Sequence, residues 1–308
     1  MKHIDLHIGH GKTGTSIIQT FFAKSVKDLF EQNIIYPEHT NLNSARKLSV
    51  TSGSFNTKEE LERVVTDYVN SPSSKRLLLS SEWLFWWFED LLSFFIETNK
   101  IAPIRVILFV RNPAELIHSN YNELVKARNF QNSFVSYLKQ DKHFSKSCWI
   151  IQKLKEEKIS LNLSNYSFCK HNLLNYISNI LNFTPHKHII ESVGITRINR
   201  SLTNSELYFQ KLINKSDNLS HYKKLGIFMS KQLPNLEVEK KIFTKFEGEE
   251  FLKINAEYLD FINKHLPKEQ VLETKVLENE EHQNNKYCFS EEQLSTLVEF
   301  LNSVEKEN

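Results

Sequence analysis

Residues 3–22, HIDLHIGHGKTGTSIIQTFF, constrain the fold more than any other stretch of this chain. HIDLHI (His3 to Ile8) alternates polar and apolar side chains, the pattern of a strand. Gly9, Gly11 and Gly14 follow, and beyond them Ile18, Phe21 or Phe22, Val26 and Leu29 recur at helical spacing. A strand that runs through glycines into a helix N-terminus lets backbone N–H groups and the helix dipole face an anion. Lys12 adds a full positive charge, and Thr13, Thr15 and Ser16 add hydroxyl donors, more than a plain turn needs. The chain therefore opens on a strand–loop–helix suited to a phosphate or a group like it.

The segments that follow repeat the strand–helix order. NIIYP is a short strand stopped by Pro37, while RLLLSS (Arg76 to Ser81) and IRVILFV (Ile104 to Val110) are continuous apolar runs. Such runs mark strands buried on both faces of a parallel sheet. Ile117, Tyr121 and Leu124 share one face of a helix after Pro113, and YSFCK (Tyr166 to Lys170) is a further expected strand before the helical HNLLNYISNILNF. Beyond about residue 201 the apolar spacing is helical. These units predict one α/β domain over residues 1–308: a P-loop-like parallel sheet flanked by helices to about residue 200, then a helical C-terminal extension. The stretches Thr40 to Thr57 and Glu278 to Asn285 read as loops.

Composition narrows the partners. A formal net charge of +2 on 308 residues gives no general footprint for nucleic acid or a membrane, so an anion site must be local. WLFWWFEDLLSFFI (Trp83 to Ile96) is the most apolar window, but Glu89 and Asp90 interrupt it and it is too short to span a bilayer. Cys148, Cys169 and Cys288 are far apart and cannot all pair; with no apolar leader after Met1, a reduced, cytoplasmic setting is expected. Oligomeric state is not legible.

The loop is too short for a nucleoside triphosphate of the Walker type. That pattern needs a glycine five residues before Gly11, and the position holds Leu6. The apolar strands also end in Ser80-Ser81-Glu82 and Arg111-Asn112-Pro113, without an Asp for Mg²⁺. Arg111 stands where open α/β sheets bind ligands, at a strand's C-terminal end, with Ser119 eight residues on. Its fork suits a second phosphate held bidentately. Two phosphate grips on neighbouring strand ends suit a nucleotide phosphorylated at both ends of its ribose.

With these residues in place, the chain resembles the sulfotransferases that use 3′-phosphoadenosine 5′-phosphosulfate (PAPS). Their K-[ST]-G-T-[ST] loop corresponds to Lys12-Thr13-Gly14-Thr15-Ser16, and their arginine–serine pair to Arg111 and Ser119. LHIGHGKTGTSIIQ, IIYP, SSE, VRNP and NRSL, in that order over about the first 205 residues, are closest to bacterial members thought to sulfate carbohydrates. The resemblance implies that Gly11 and residues 12–16 hold the 5′-phosphosulfate and that Arg111 and Ser119 hold the 3′-phosphate. It implies contacts to the nucleotide from Arg197, Asn199 and Ser201, although Ser201, Thr203 or Asn204 serves equally as a helix cap. The expected reaction is in-line transfer to a hydroxyl of a carbohydrate or glycolipid, with PAP (3′-phosphoadenosine 5′-phosphate) as product and no metal required. Lys12 is the residue expected to stabilise the leaving oxygen. Glu82 is the expected base and His39 the alternative, a choice the sequence leaves open.

Trp83, next to Glu82, is the candidate for stacking on an acceptor sugar, with Trp86 and Trp87 at spacings that also suit a core. His3, His7, His10, His186 and His188 lack the carboxylate or cysteine spacing of a metal site. Two other readings stay open: a nucleotide-dependent kinase, and a catalytically silent protein that binds nucleotide or sugar.

Overall fold

In the computed structural model, which describes residues 2–38, 42–46, 53, 55–194, 200–238, 245–274 and 288–307, five strands form one all-parallel sheet flanked by helices. In chain order the elements begin β1 (Ile4–Gly9), α1 (Thr15–Lys24), α2 (Val26–Glu31), β2 (Ile34–Ile35), α3 (Leu42–Arg46) and α4 (Lys58–Asn70). There follow β3 (Arg76–Ser81), α5 (Trp83–Trp87), α6 (Leu92–Ile101), β4 (Ile104–Val110), α7 (Pro113–Ala127), α8 (Phe134–Leu138) and α9 (His143–Glu156). Next come β5 (Ser160–Asn165), α10 (Tyr166–Cys169), α11 (Leu173–Leu181), α12 (Lys187–Gly194) and α13 (Asn204–Lys215). The last are α14 (Leu225–Gln232), α15 (Lys245–Ile254), α16 (Ala256–His265) and α17 (Glu291–Glu307).

The chain separates into two compact units. The first comprises Met1–Asn112, Lys142–Thr196 and Ala256–Leu272, and it holds the whole sheet. The second comprises Pro113–Asp141, Arg197–Asn255 and Glu273–Asn308, and its described elements are helices.

The sheet order is β2-β3-β1-β4-β5, so the strand that carries the glycine loop is central. Register pairs Ile8 with Ser81, Gly9 with Phe109 and Val110 with Asn165. Because the strands are parallel, the segments after Gly9, Ser81, Val110 and Asn165 all leave from one edge. All six residues of β1 are buried, the polar Asp5 and His7 included, because this strand lies in the middle of a sheet covered on both faces. On one face Ile18, Phe21 and Phe22 of α1 pack with Leu78, Ile107, Phe109 and the α11 residues Leu173, Ile177 and Leu181. Each such side chain contributes about 1.5–3 kcal/mol by leaving water. Helix α5 packs near β1 and β3, α6 on β4 and α9 on β5.

The edge strand departs from the sequence reading. YSFCK is not a strand: β5 ends at Asn165, and Tyr166–Cys169 is a helical turn. The Asn165 side chain accepts from the backbone N–H of Ser167 at 2.9 Å, an N-cap that starts the turn where the apolar alternation suggests extension. The true strand, SLNLSN, exposes Ser160 at its start and buries Leu163, Ser164 and Asn165 at its end. Part of the expected loop between Thr40 and Thr57 is also structured, since Leu42–Arg46 is helical and Gly53 bridges to Ser81. Residues 278–285 lie outside the described residues.

In the second unit, Ile213, Leu225, Met229 and Phe300 form a core with Phe209, Phe228 and Phe289 packed against it. Arg200 pairs with Glu206 through two hydrogen bonds of 2.7 and 2.8 Å, both residues being buried. Burial raises the Glu206 carboxyl, but hydrogen bonds from Arg200 and Gln293 outweigh it and hold the carboxyl below its ordinary range.

Candidate anion site at the C-terminal edge of the sheet

The loop after β1 is shaped by two residues in the left-handed region. Gly14 has φ 76° and is the N-cap residue of α1. A Cβ there would meet Leu173 Cδ2 at 2.5 Å and Tyr166 Cε2 at 2.8 Å, so glycine is required by space as well as by φ. Gly9 is required by space alone, because a Cβ would lie 1.8 Å from Thr15 Cγ2. Lys12 also sits at φ 71°, a conformation that costs a side-chain-bearing residue about 1–2 kcal/mol.

Named contacts hold that strained turn. Thr13 Oγ1 donates to the His10 carbonyl at 2.8 Å. Arg111, immediately after β4, donates from Nη1 to the Lys12 carbonyl at 2.7 Å. The Arg111 guanidinium lies over the Tyr166 ring, 5.1 Å from its centroid, a cation–π contact. Asn112, next in the chain, donates its N–H to Ser167 Oγ at 3.1 Å and accepts from Asn165 Nδ2 at 3.1 Å. The ends of β4 and β5 are thereby tied to one another beside the loop of β1.

The end of β3 supplies the carboxylate. Trp83 N–H donates to Ser81 Oγ at 3.2 Å, so Ser81 rather than Glu82 serves the start of α5. Glu82 instead accepts a hydrogen bond from the hydroxyl of Thr15, the first residue of α1. With its proton committed to Glu82, Thr15 offers an incoming anion its backbone N–H. No acidic residue occupies the first turn of α1 itself. Glycines that leave room, a helix N-terminus, an ammonium and a guanidinium together make a donor set that fits a phosphate or sulfate ester.

Of the residues expected at a site, Gly11, Lys12, Thr13, Gly14, Thr15, Ser16, Glu82 and Arg111 therefore share this edge of the first unit. Ser119 lies on α7 and Ser201 just ahead of α13, both in the second unit, so their part in nucleotide binding rests on the sequence resemblance. His39, Arg197 and Asn199 lie outside the described residues. Thr203 is the N-cap of α13, in a reciprocal capping box with Glu206, which accounts for the TNSE stretch without a ligand.

Trp83 stacks on Trp87, 5.4 Å between centroids and 12° between planes. Trp86 is 42% exposed and meets the His143 ring edge-on at 5.3 Å. His143, the first residue of α9, also lies 5.5 Å from the ring of His10 in the anion loop. Nothing in the sequence singled out His143. It comes from a helix well over a hundred residues further on, and only the packing of α9 brings it to the loop.

The other histidines are dispersed. His3 bonds to Asp5, His7 to Ser80 and His186 to Asp28. Among the described residues no group of three potential ligands could hold a metal. His7 is wholly buried, with Nδ1 2.8 Å from Ser80 Oγ, and desolvation pushes its pKa down to about 3.

No protein-family model matches this chain, and no curated protein sequence matches it significantly.

Proposed function

We propose that this protein is a PAPS-dependent sulfotransferase whose first unit is a P-loop-like sheet. The reading is carried by one observation: the guanidinium of Arg111 is bonded to the backbone of Lys12, so both expected anion grips lie at one strand edge. PAPS, when bound, supplies the sulfuryl group that is transferred. Gly11 to Ser16 and the α1 N-terminus would receive its 5′ end. Arg111 would receive the 3′-phosphate, with Ser119 and the stretch 197–201 added on the resemblance alone.

The residues divide the work by charge. The Lys12 ammonium neutralises the oxygen that gains charge as the bond from sulfur to its bridging oxygen breaks. Glu82 takes the proton from the acceptor hydroxyl as its oxygen bonds to sulfur. The tie from Thr15 orients that carboxylate without protonating it. Half-exposed Trp86 and His143 stand beside the loop as the polar–aromatic wall a sugar acceptor would meet.

Calorimetric titration with PAP, ADP and ATP in metal-free buffer tests the reading. Tight binding of PAP with weak response to ADP and ATP is expected. Preference for ATP would replace it with a kinase. PAP binding without transfer to any acceptor in a screen of oligosaccharides and glycolipids would leave a silent nucleotide-binding protein.

A further inference from the structure

The far end of α1, about 15 Å from the anion loop by the rise of its ten residues, carries a second concave feature. A groove of about 690 Å³ runs between the α1–α2 corner, the end of α3 and the start of α12. Its apolar floor includes Val26, Phe30 and Ile189, and its charged side chains are Lys24, Lys27 and Arg46. Among the described residues that line it there is no carboxylate. The charged side chains that line the groove are thus cationic, with Glu31 beside Lys27 outside the lining.

Local stability explains part of the cluster. Lys24 in the last turn of α1, and Arg46, whose Nε donates to the Ala23 carbonyl at 3.1 Å, both complement the negative end of that helix. The same argument runs against Lys27, which sits in the first turn of α2 where a cation opposes the helix dipole. Among the described residues its ion pair is to Glu31 at 3.9 Å, which joins two exposed side chains and contributes little. Phe30, beside it, is 54% exposed, and the Lys75 ammonium lies 4.1 Å from its ring centroid. An exposed aromatic flanked by lysine stems, beside a cationic groove, is the arrangement of a side chain that rests at a lipid interface.

We propose that this face seats an acidic lipid of a bilayer surface, its anionic head group between Lys24, Lys27 and Arg46, with Phe30 entering the interface. Among the described residues no helix is long and apolar enough to cross a membrane, so the contact is peripheral. The groove lies at the opposite end of α1 from the anion loop and does not depend on the reaction proposed there.

The test is co-sedimentation of the full chain with phosphatidylglycerol/phosphatidylcholine vesicles and with pure phosphatidylcholine vesicles. Binding to the acidic vesicles alone, weakening with added salt, is expected. The Lys24→Gln/Lys27→Gln double variant should lose about tenfold or more in partitioning, and Phe30→Ser should also weaken it. Circular dichroism confirms that each variant keeps its helices. No binding to acidic vesicles, or equal binding by the double variant, overturns the proposal. So does saturable binding of monomeric laurate without any vesicle binding, which would make the groove a site for a soluble anion.

Discussion

The carbonyl of Lys12 accepts a hydrogen bond of 2.7 Å from the guanidinium of Arg111, 99 residues away in the chain. The two cations expected to grip opposite ends of a nucleotide are thus one structural unit. Removing the arginine removes a ligand for phosphate and also the support of a left-handed turn. Arg111→Ala is expected to weaken PAP binding by about 10- to 100-fold, the loss of one charge-assisted interaction. Arg111→Lys should recover little, because a lysine cannot serve the carbonyl and a phosphate with a fixed fork. Calorimetry on the three proteins measures this, and unchanged affinity in the alanine variant would remove Arg111 from the site.

Lys12 combines a needed charge with a strained backbone, and two substitutions separate them. Lys12→Ala is expected to lower sulfuryl transfer by about 10²–10³-fold while keeping the strain. Lys12→Gly should lose transfer to the same extent yet melt no lower than the parent, since glycine tolerates φ 71°. A thermal melt beside a transfer assay with labelled PAPS reads both quantities.

Glu82→Gln preserves an acceptor for the Thr15 hydroxyl but cannot take a proton. The expected result is a fall in kcat of about 10²–10⁴-fold with PAP affinity unchanged. If His143 rather than Glu82 accepts the proton, His143→Gln will lower kcat to that extent and Glu82→Gln will not.

His7 gives a prediction about stability. The unfolded chain binds its proton near pH 6.5, whereas the buried ring resists protonation until about pH 3. Stability is therefore full above 6.5 and declines as pH falls through that window, by up to roughly 1.4 kcal/mol per unit. Asp5 acts in the same direction lower down. Burial raises its carboxyl, but hydrogen bonds from His3 and Arg105 and the charges of Arg105 and Arg76 hold it below 3.8. His7→Gln should flatten the upper part of the decline only. Urea titrations at pH 7, 5.5 and 4.5 check this, and parallel curves for the two proteins would exclude His7 as the cause.

In the second unit, Arg200→Met leaves the Glu206 carboxylate buried without its main partner. A loss of about 3–5 kcal/mol is expected, as for other broken buried pairs. Arg200→Met/Glu206→Leu should recover much of it. Chemical denaturation monitored by the α-helical signal reports both.

The sequence by itself determined the strand–loop–helix and the parallel sheet. Those features are local: period-two and all-apolar runs set the strands, Gly9 is demanded by nearby Thr15 and Gly14 by its positive φ. It misread Tyr166–Cys169, because a period-two apolar pattern is ambiguous over four residues and the deciding event is a hydrogen bond from the Ser167 backbone to Asn165. It could not assign Glu82, since a carboxylate before a helix serves equally as a cap. Only packing showed that Ser81 takes that role while Glu82 turns to Thr15. Arg200, inside the NRSL resemblance, proved to be a buried structural ion pair for the same reason. Its partner Glu206 is near in sequence, but the burial that defines the pair comes from helices later in the chain. His143 and Tyr166 entered the site through helices packed against the sheet edge. Local sequence sets which groups are available, and tertiary contacts between distant segments decide which of them meet.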